Sequence, residues 1–438
     1  MTFVTRHIAN NFHVFAQSKE EYRKLLKIAT PLSLGYLGHM AIGTTDVLMI
    51  GQLGAAPLAA SAIVVSIYYT LYLLLTGIIV AITPIASQAL GARQARTARR
   101  AVRQGMWVAL TLSIPGLFLL WHSDKLFSLT GQTKELIPLA TDYMHYYMWG
   151  MLSGLMFDAL RCFMVALGRP QPILVITTIG IIANAILNYA LIFGNFGAPE
   201  MGLMGAGISS SVVTFLMFLI CAFFVATRLP YRRYHVFNRI WKPDWEIYFR
   251  IFRLGIPIGG SMMLEQSMYS VSTLLAGRIG AIEAASHSIA MALVNIVYVV
   301  SLGISEATTS RVGFNVGRQD SLGVKKAAYA GISTAMGFMF VSAIGVIFFR
   351  HELTSYFIGA DVSDAAFVLT IAVHLVIVGM LFEFVDATQL GIRGSLHGMN
   401  DVKVTFYVSL LGYTVGGTFL AFYLSTYTDL GVYGIWYG

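Results

Sequence analysis

Three stretches of the chain, Val64–Ala81, Pro172–Phe193 and Leu203–Ala226, run on without a single charged side chain. Each holds the ~18–20 apolar residues that a helix needs to cross the hydrocarbon core of a bilayer, about 30 Å thick. The rest of the chain is of the same kind. Of its 438 residues 57% are apolar and 11% charged, where an average soluble domain carries about 25% charged. So little solvating surface excludes a soluble enzyme, a disordered regulator and a secreted disulfide scaffold. The sequence reads as an all-α polytopic membrane protein.

Hydropathy and spacing predict eleven helices, at residues 25–50, 57–85, 104–121, 138–162, 172–194, 203–227, 254–277, 284–308, 327–349, 367–391 and 402–425. A twelfth begins at Gly431 and is cut by the chain end, so a complete protein is expected to continue through it. With the N-terminus in the cytoplasm, all but four of the 29 Lys and Arg fall on the inner side; the four are Lys125, Lys134, Arg278 and Arg350. That bias fixes the orientation by the positive-inside rule. The net charge of +8 is thus an orientation signal and not a nucleic-acid footprint. Residues 1–24 form a polar cytoplasmic tail without a cleavable apolar signal, in which Phe3, Ile8, Phe12 and Phe15 suit either an interfacial helix or a loose segment. Cys162 and Cys221 sit in apolar stretches as small hydrophobes. There is no C-x-x-C, no His/Cys metal spacing and no Walker A loop, which argues against ATP-driven transport and against a bound cofactor.

The chain also repeats itself. At an ungapped offset of 226, Pro31 falls on Pro257, Gly51 on Gly277, Gly54-Ala55 on Gly280-Ala281, Thr83 on Thr309 and Gly91 on Gly317. Six helices, an even number, separate the copies, so both halves have the same orientation and are related by a pseudo-two-fold axis along the membrane normal. The expected organisation is a tail at 1–24, a first lobe at 25–228, a cytoplasmic linker at 229–249 and a second lobe at 250–438. The linker region carries Trp241, Trp245, Pro230 and Pro243 and is expected to lie along the membrane surface.

A carboxylate at a helix centre costs about 2.5–3.5 kcal/mol to insert, so each one needs a reason. Asp46 lies in the first helix, Glu265 in the seventh at about 18 Å from Arg253, and Asp386 in the tenth, with Glu383 one turn before it. The distribution of Lys and Arg predicts no base at the depth of Asp46 or Glu265, so each must be protonated or hold a cation. Asn184 and Asn188, four residues apart in the fifth helix, suit an oxygen site with Asp46 or plain helix–helix contact equally well. Asp158 and Arg161 are expected to form a local ion pair, and Glu306 to face water or Arg311. His145, His287 and His374 read as packing residues, and Tyr298 as a cation–π partner for a flat cation.

At these residues the sequence resembles the multidrug and toxic compound extrusion (MATE) family, in its NorM-like branch. The likeness is carried by Ile28-Ala29-Thr30-Pro31 followed by T-D-V-L-M-I-G-Q-L-G from Thr45, and by Leu254-Gly255-Ile256-Pro257 followed by Glu265. It continues in A-A-S-H-S-I-A-M from Ala284, T-S-R-V-G-F-N-V-G around Arg311, D-A-T-Q-L-G-I-R-G from Asp386 and N-A-I-L-N-Y-A-L-I-F-G from Asn184. The resemblance implies two six-helix bundles opening as a V, and Pro31 and Pro257 are candidate hinges where a helix bends when a carboxylate loses its charge. It implies export of organic cations and amphipathic drugs, by a monomer in the bacterial inner membrane, in exchange for inward Na⁺ or H⁺. Glu265, Asp386 and Tyr298 match positions of cation binding in the second lobe, with Glu383 an addition of this sequence. Asp46, Asn184 and Asn188 match the cluster of the first lobe. A coupling Na⁺ is expected either at Asp386 and Glu265 or at Asp46, Asn184 and Asn188.

Three rivals fit less well. A flippase for lipid-linked precursors shares the two-lobe plan but needs deep arginines for phosphate. A membrane enzyme needs a clustered nucleophile or metal set at one membrane face. A channel needs the same selectivity element in both halves, whereas Asp46 and Glu265 fall on different repeat positions: Asp46 aligns with Ser272, and Glu265 with His39.

Overall fold

The structure, a computed structural model, describes residues 2–129, 134–356 and 365–438, with side chains described from Lys19 onward. Phe3, Ile8, Phe12 and Phe15 therefore lie outside the described side chains. Helices account for nearly all of the described backbone, and no strand occurs among the described residues. They are α1 (Thr2–Gly51), α2 (Ala55–Val80), α3 (Ile82–Gly91), α4 (Ala95–Trp121), α5 (Ser123–Leu129), α6 (Leu136–Tyr147), α7 (Gly150–Ala166), α8 (Gln171–Phe193) and α9 (Gly202–Thr227). After the linker follow α10 (Trp245–Ile279), α11 (Ala281–Gly317), α12 (Ser321–Phe348), α13 (Arg350–Ser355), α14 (Ala365–Gly398), α15 (Val402–Ser409), α16 (Leu420–Tyr427) and α17 (Val432–Tyr437).

Eight spans are long and apolar enough to cross a membrane by themselves, counting α2–α3 as one span and α15–α16 as another. The pair α6–α7, bent by 43°, makes a ninth. With α1 and α10 these are the eleven predicted segments. Those two fall below the others in hydropathy because they carry the polar residues of the interior: His39, Thr44, Thr45 and Asp46 in α1, and Ser261, Glu265, Gln266, Ser270 and Ser272 in α10. Between α15 and α16 the helix winds with π geometry over Leu410–Phe419. Its Gly412, Gly416 and Gly417 put no Cβ in the way of that wider winding.

Two compact units emerge, Leu34–Met263 and a second made of Met1–Ser33 with Leu264–Gly438. The boundaries fall inside α1, two residues after Pro31, and inside α10, six residues after Pro257. Each unit thus includes the first half of a helix whose second half belongs to the other. In the Leu34–Met263 unit, α10 meets α2 where Gly77 faces Gly259, so closely that a Cβ on Gly77 would land on the Gly259 backbone. In the other unit, α1 meets α11 where Gly303 faces Ser33, and Ser33 Oγ donates to Val300 O at 2.9 Å. Gly77 and Gly303 are 226 residues apart, as are Ser33 and Gly259, so one contact is the repeat image of the other. Only residues with little or no side chain allow helix axes this close.

The linker is held down by one face of α4. Arg103 donates to Val236 O at 2.7 Å and His235 O at 3.1 Å, Gln104 to Lys242 O at 3.2 Å, and Trp107 Nε1 to Ile240 O at 2.8 Å. Arg100 pairs with Asp244. Trp241 and Trp245 remain exposed beside this anchored segment, the placement of aromatic side chains at a membrane interface. At the other end of the chain, α14 packs chiefly on α11 and α12. A Cβ on Gly394 would meet the Ser305 carbonyl, while Gly337 of α12 has open space around it. Gly394→Ala is therefore expected to cost about 1–3 kcal/mol through overpacking. Thermal unfolding in detergent checks this, with Gly337→Ala expected to leave the midpoint unchanged.

Candidate functional site

In the Leu34–Met263 unit, α1, α8 and α9 converge on Asp46. Asn184 Nδ2 donates to Asp46 Oδ1 at 2.9 Å and Asn188 Nδ2 to the same oxygen at 2.6 Å; Ser210 Oγ donates to Oδ2 at 2.9 Å. Both asparagines are fully buried. The i,i+4 spacing that puts them on one face of α8 explains why both amides reach one carboxylate. Three donors and no base compensate the charge, which is the arrangement for an anion stabilised by hydrogen bonds. Turning the amides by half a rotation would present oxygens instead, so the same residues can serve a bound cation. Ser210 escaped the sequence reading; the run Ser209-Ser210-Ser211 in an otherwise apolar α9 was its signal.

A second acid lies in the same unit. Asp158 Oδ1 accepts from Arg161 Nε at 3.0 Å, as the i,i+3 spacing predicts. The pair is no surface contact: both residues are buried, Tyr72 and Thr76 donate to Asp158 Oδ2 at 2.9 and 3.1 Å, and Arg161 Nη1 donates to Tyr36 at 3.0 Å.

The other unit holds Glu265, Glu383 and Asp386. Tyr298 donates through its hydroxyl to Glu265 Oε1 at 2.7 Å, so in this structure its polar end and not its ring face is used. The other oxygen, Oε2, lies 2.7 Å from Arg393 Nη1. This overturns the expectation that no base lies at the depth of Glu265. Arg393 counts among the inner-side charges of the sequence, but α14 continues to Gly398 and buries it inside the bundle. Arg161 leaves the surface for the same kind of reason, through its pair with Asp158. Glu306 is buried and so does not face water.

Glu383 and Asp386 are one turn apart on α14, both buried. Glu383 Oε1 and Oε2 and Asp386 Oδ2 have no hydrogen-bond partner among the described residues. The charges of the three acids act on one another. Asp386 also lines a cavity of about 440 Å³ together with Met268, Tyr269, Gln389, Tyr413 and Trp436. Of the histidines read as packing residues, His287 is buried and bonded, its Nδ1 accepting from Trp436 Nε1 at 3.0 Å and its Nε2 meeting Thr273 Oγ1 at 3.2 Å, whereas His374 is exposed.

A helical chain of this kind has known counterparts. The MatE family model matches residues 31–190 and 257–423. The chain belongs to the MatE family. Among curated relatives, "Probable multidrug resistance protein NorM" of Rhizobium meliloti (strain 1021) is 34% identical over 429 residues, 97% of this chain and 92% of the relative. The protein of the same name from Bradyrhizobium diazoefficiens is 36% identical over 421 residues, covering 96% and 90%. Among solved structures, a eukaryotic MATE transporter superposes with a TM-score of 0.86 at 20% identity, over 96% of this chain and 92% of that one. An outward-facing multidrug resistance MATE transporter of the MOP superfamily gives 0.86 at 18% identity, over 95% and 91%. These establish the two-bundle fold of a multi-pass membrane transporter, and MatE proteins are transporters, not enzymes.

Within this MatE chain, removing one partner of a buried ion pair leaves a bare charge and costs about 3–5 kcal/mol, whereas replacing both by neutral residues costs far less. Arg161→Met is expected to reduce the amount of folded protein in membranes severalfold, and Asp158→Asn added to it to restore most of the loss. Quantitative immunoblotting of membrane fractions checks this.

Proposed function

We propose that the protein is a secondary multidrug antiporter of the bacterial plasma membrane, exporting organic cations and other amphipathic drugs in exchange for inward Na⁺ or H⁺. The observation that carries this reading is the set of buried acids, Asp46, Glu383 and Asp386, that are bonded to no basic side chain. A carboxylate kept at membrane depth without a fixed partner attracts any cation that reaches it. A drug cation and a small coupling ion then compete for the same negative charge, and arrival of the ion from outside releases the drug outward. Each charge moved down a potential of 100 mV supplies about 2.3 kcal/mol, roughly a fifty-fold concentration ratio. A monocation exchanged one-for-one gains nothing from voltage and is driven by the ion gradient alone.

The curated relatives, named for multidrug resistance, support the substrate class. The Lys and Arg distribution supports a cytoplasmic N-terminus, since the outer segments still hold only Lys125, Lys134, Arg278 and Arg350 once Arg161 and Arg393 are set aside as buried. The deep arginines do not support a phosphate flippase, because each is neutralised by its own carboxylate.

Reconstituted in proteoliposomes, the protein is expected to move ethidium when a Na⁺ or a pH gradient is imposed alone. Asp46→Asn and Asp386→Asn are each expected to slow that movement by at least about tenfold. The gradient that suffices identifies the coupling ion. Absence of movement under both gradients would remove the antiporter reading and bring the flippase forward.

A further inference from the structure

We propose that Arg393 is a resident cation that holds Glu265 in a permanent ion pair, so that ion exchange in the Leu264–Gly438 part of the chain runs through Asp386 and Glu383 without Glu265. The inference rests on the antiporter reading and divides the labour within its acid cluster. Resemblance to the family gives Glu265 a part in cation binding; in this chain a side chain already supplies the cation.

Both oxygens of Glu265 are occupied, Oε2 by Arg393 Nη1 and Oε1 by the Tyr298 hydroxyl, each at 2.7 Å. The two charged side chains are each only 4% exposed. A guanidinium keeps its charge at any accessible pH and donates in a fixed planar fork. It therefore can neither be neutralised nor be released, unlike Na⁺ or a proton. For an exchanged ion to take Glu265, Arg393 would have to give up the carboxylate it is bonded to while staying buried, a loss that a buried charge resists.

The backbone that carries Arg393 is fixed as well. Thr309 Oγ1 donates to Gly394 O at 3.0 Å and Ser305 Oγ to Leu390 O at 2.7 Å. Gly394 itself lies against the Ser305 carbonyl. The arginine is thus mounted on a stretch of α14 locked to α11, with no loose segment to carry it away.

Asp386 and Glu383 have the opposite environment. Three of their four carboxylate oxygens are buried without a donor, in a protein interior where such atoms are normally bonded. One resident base among three acids balances one of them, and it is bonded to Glu265. The other two, on the same face of α14, remain to hold what is exchanged.

The test uses purified full-chain protein in lipid, and ethidium movement on the same samples. Infrared difference spectra on adding Na⁺, and on acidification, read carboxylates that change state, without any drug present. The expected result is a carboxylate difference band in the parent that loses its Asp386 component in Asp386→Asn, the Asp46 component remaining, and that is kept whole in the combined Glu265→Gln/Arg393→Gln variant. Arg393→Gln alone, which bares Glu265, is expected to add a new ion-dependent carboxylate band. Loss of the parent band in the combined variant would overturn the proposal, as would a parent with no ion-dependent band. Should the combined variant fail to accumulate in membranes, Arg393→Lys serves instead. Its ion-titration midpoint is expected to stay within about twofold of the parent, and a shift beyond about tenfold would overturn the pair. The infrared band decides the pair and ethidium movement decides the antiporter reading, so either can fail while the other stands.

Discussion

Burying a carboxylate where water does not reach is the constraint around which this molecule is arranged. The cost can be met by a fixed cation or by neutral donors, and it can also be left open for a mobile ion. All three solutions occur. Asp158 and Glu265 are met by Arg161 and Arg393. Asp46 is met by two amides and a hydroxyl. Glu383 and Asp386 are left with oxygens that accept nothing. Each compact unit therefore contains a deeply buried acid closed by an arginine, Asp158 or Glu265, and at least one that is not. The closed acids hold helices together, Asp158 joining α7 to α2 and Glu265 joining α10 to α11 and α14. The others are where a transported charge can act.

The second organising fact is the close approach of small residues at repeat-related points. Gly77 against Gly259 and Gly303 against Ser33 are the same contact drawn twice, once in each unit. In lipid no hydrophobic force drives helix against helix, so close packing and local hydrogen bonds have to do so. Larger side chains at those positions would push the axes apart. This is also why the unit boundaries fall within α1 and α10: the first half of each helix finds its tight partner where the small residues are, and chain order has no say in it.

Most of the fold is legible in the sequence because the bilayer allows few alternatives. Long uncharged runs must be helices, and the predicted segments are all found, but several run six to nine residues past their expected limits, α4 and α10 starting at Ala95 and Trp245 and α11 ending at Gly317. What hydropathy misses is continuity and bending. α1 runs on from Gly51 back to Thr2 instead of beginning near residue 25, the second segment extends to Gly91, and the fourth is broken into α6 and α7. These features do not change how apolar a segment is, so a measure of apolarity does not register them.

The site is legible in part, and the division has a physical reason. Asp46, Asn184 and Asn188 come together because a polar residue in an apolar helix has to find another, and two amides four residues apart can reach the same point. Glu265 and Tyr298 meet for the same reason. Arg393 was missed because a base near a helix end reads as an inner-surface charge. Its distance from Asp386 is a hint: seven residues, two turns on nearly the same face, is a spacing at which a base is carried into the interior with the acid. Which acid it then bonds depends on how α14 is rotated against α11. That rotation is set by Gly394 on Ser305 and by Thr309 on the Gly394 carbonyl, contacts between segments some 85 residues apart in the chain. Periodicity within one helix fixes which residues share a face; only packing between helices fixes what that face meets. The one interaction that decides what Glu265 can do thus belongs to the second kind of information.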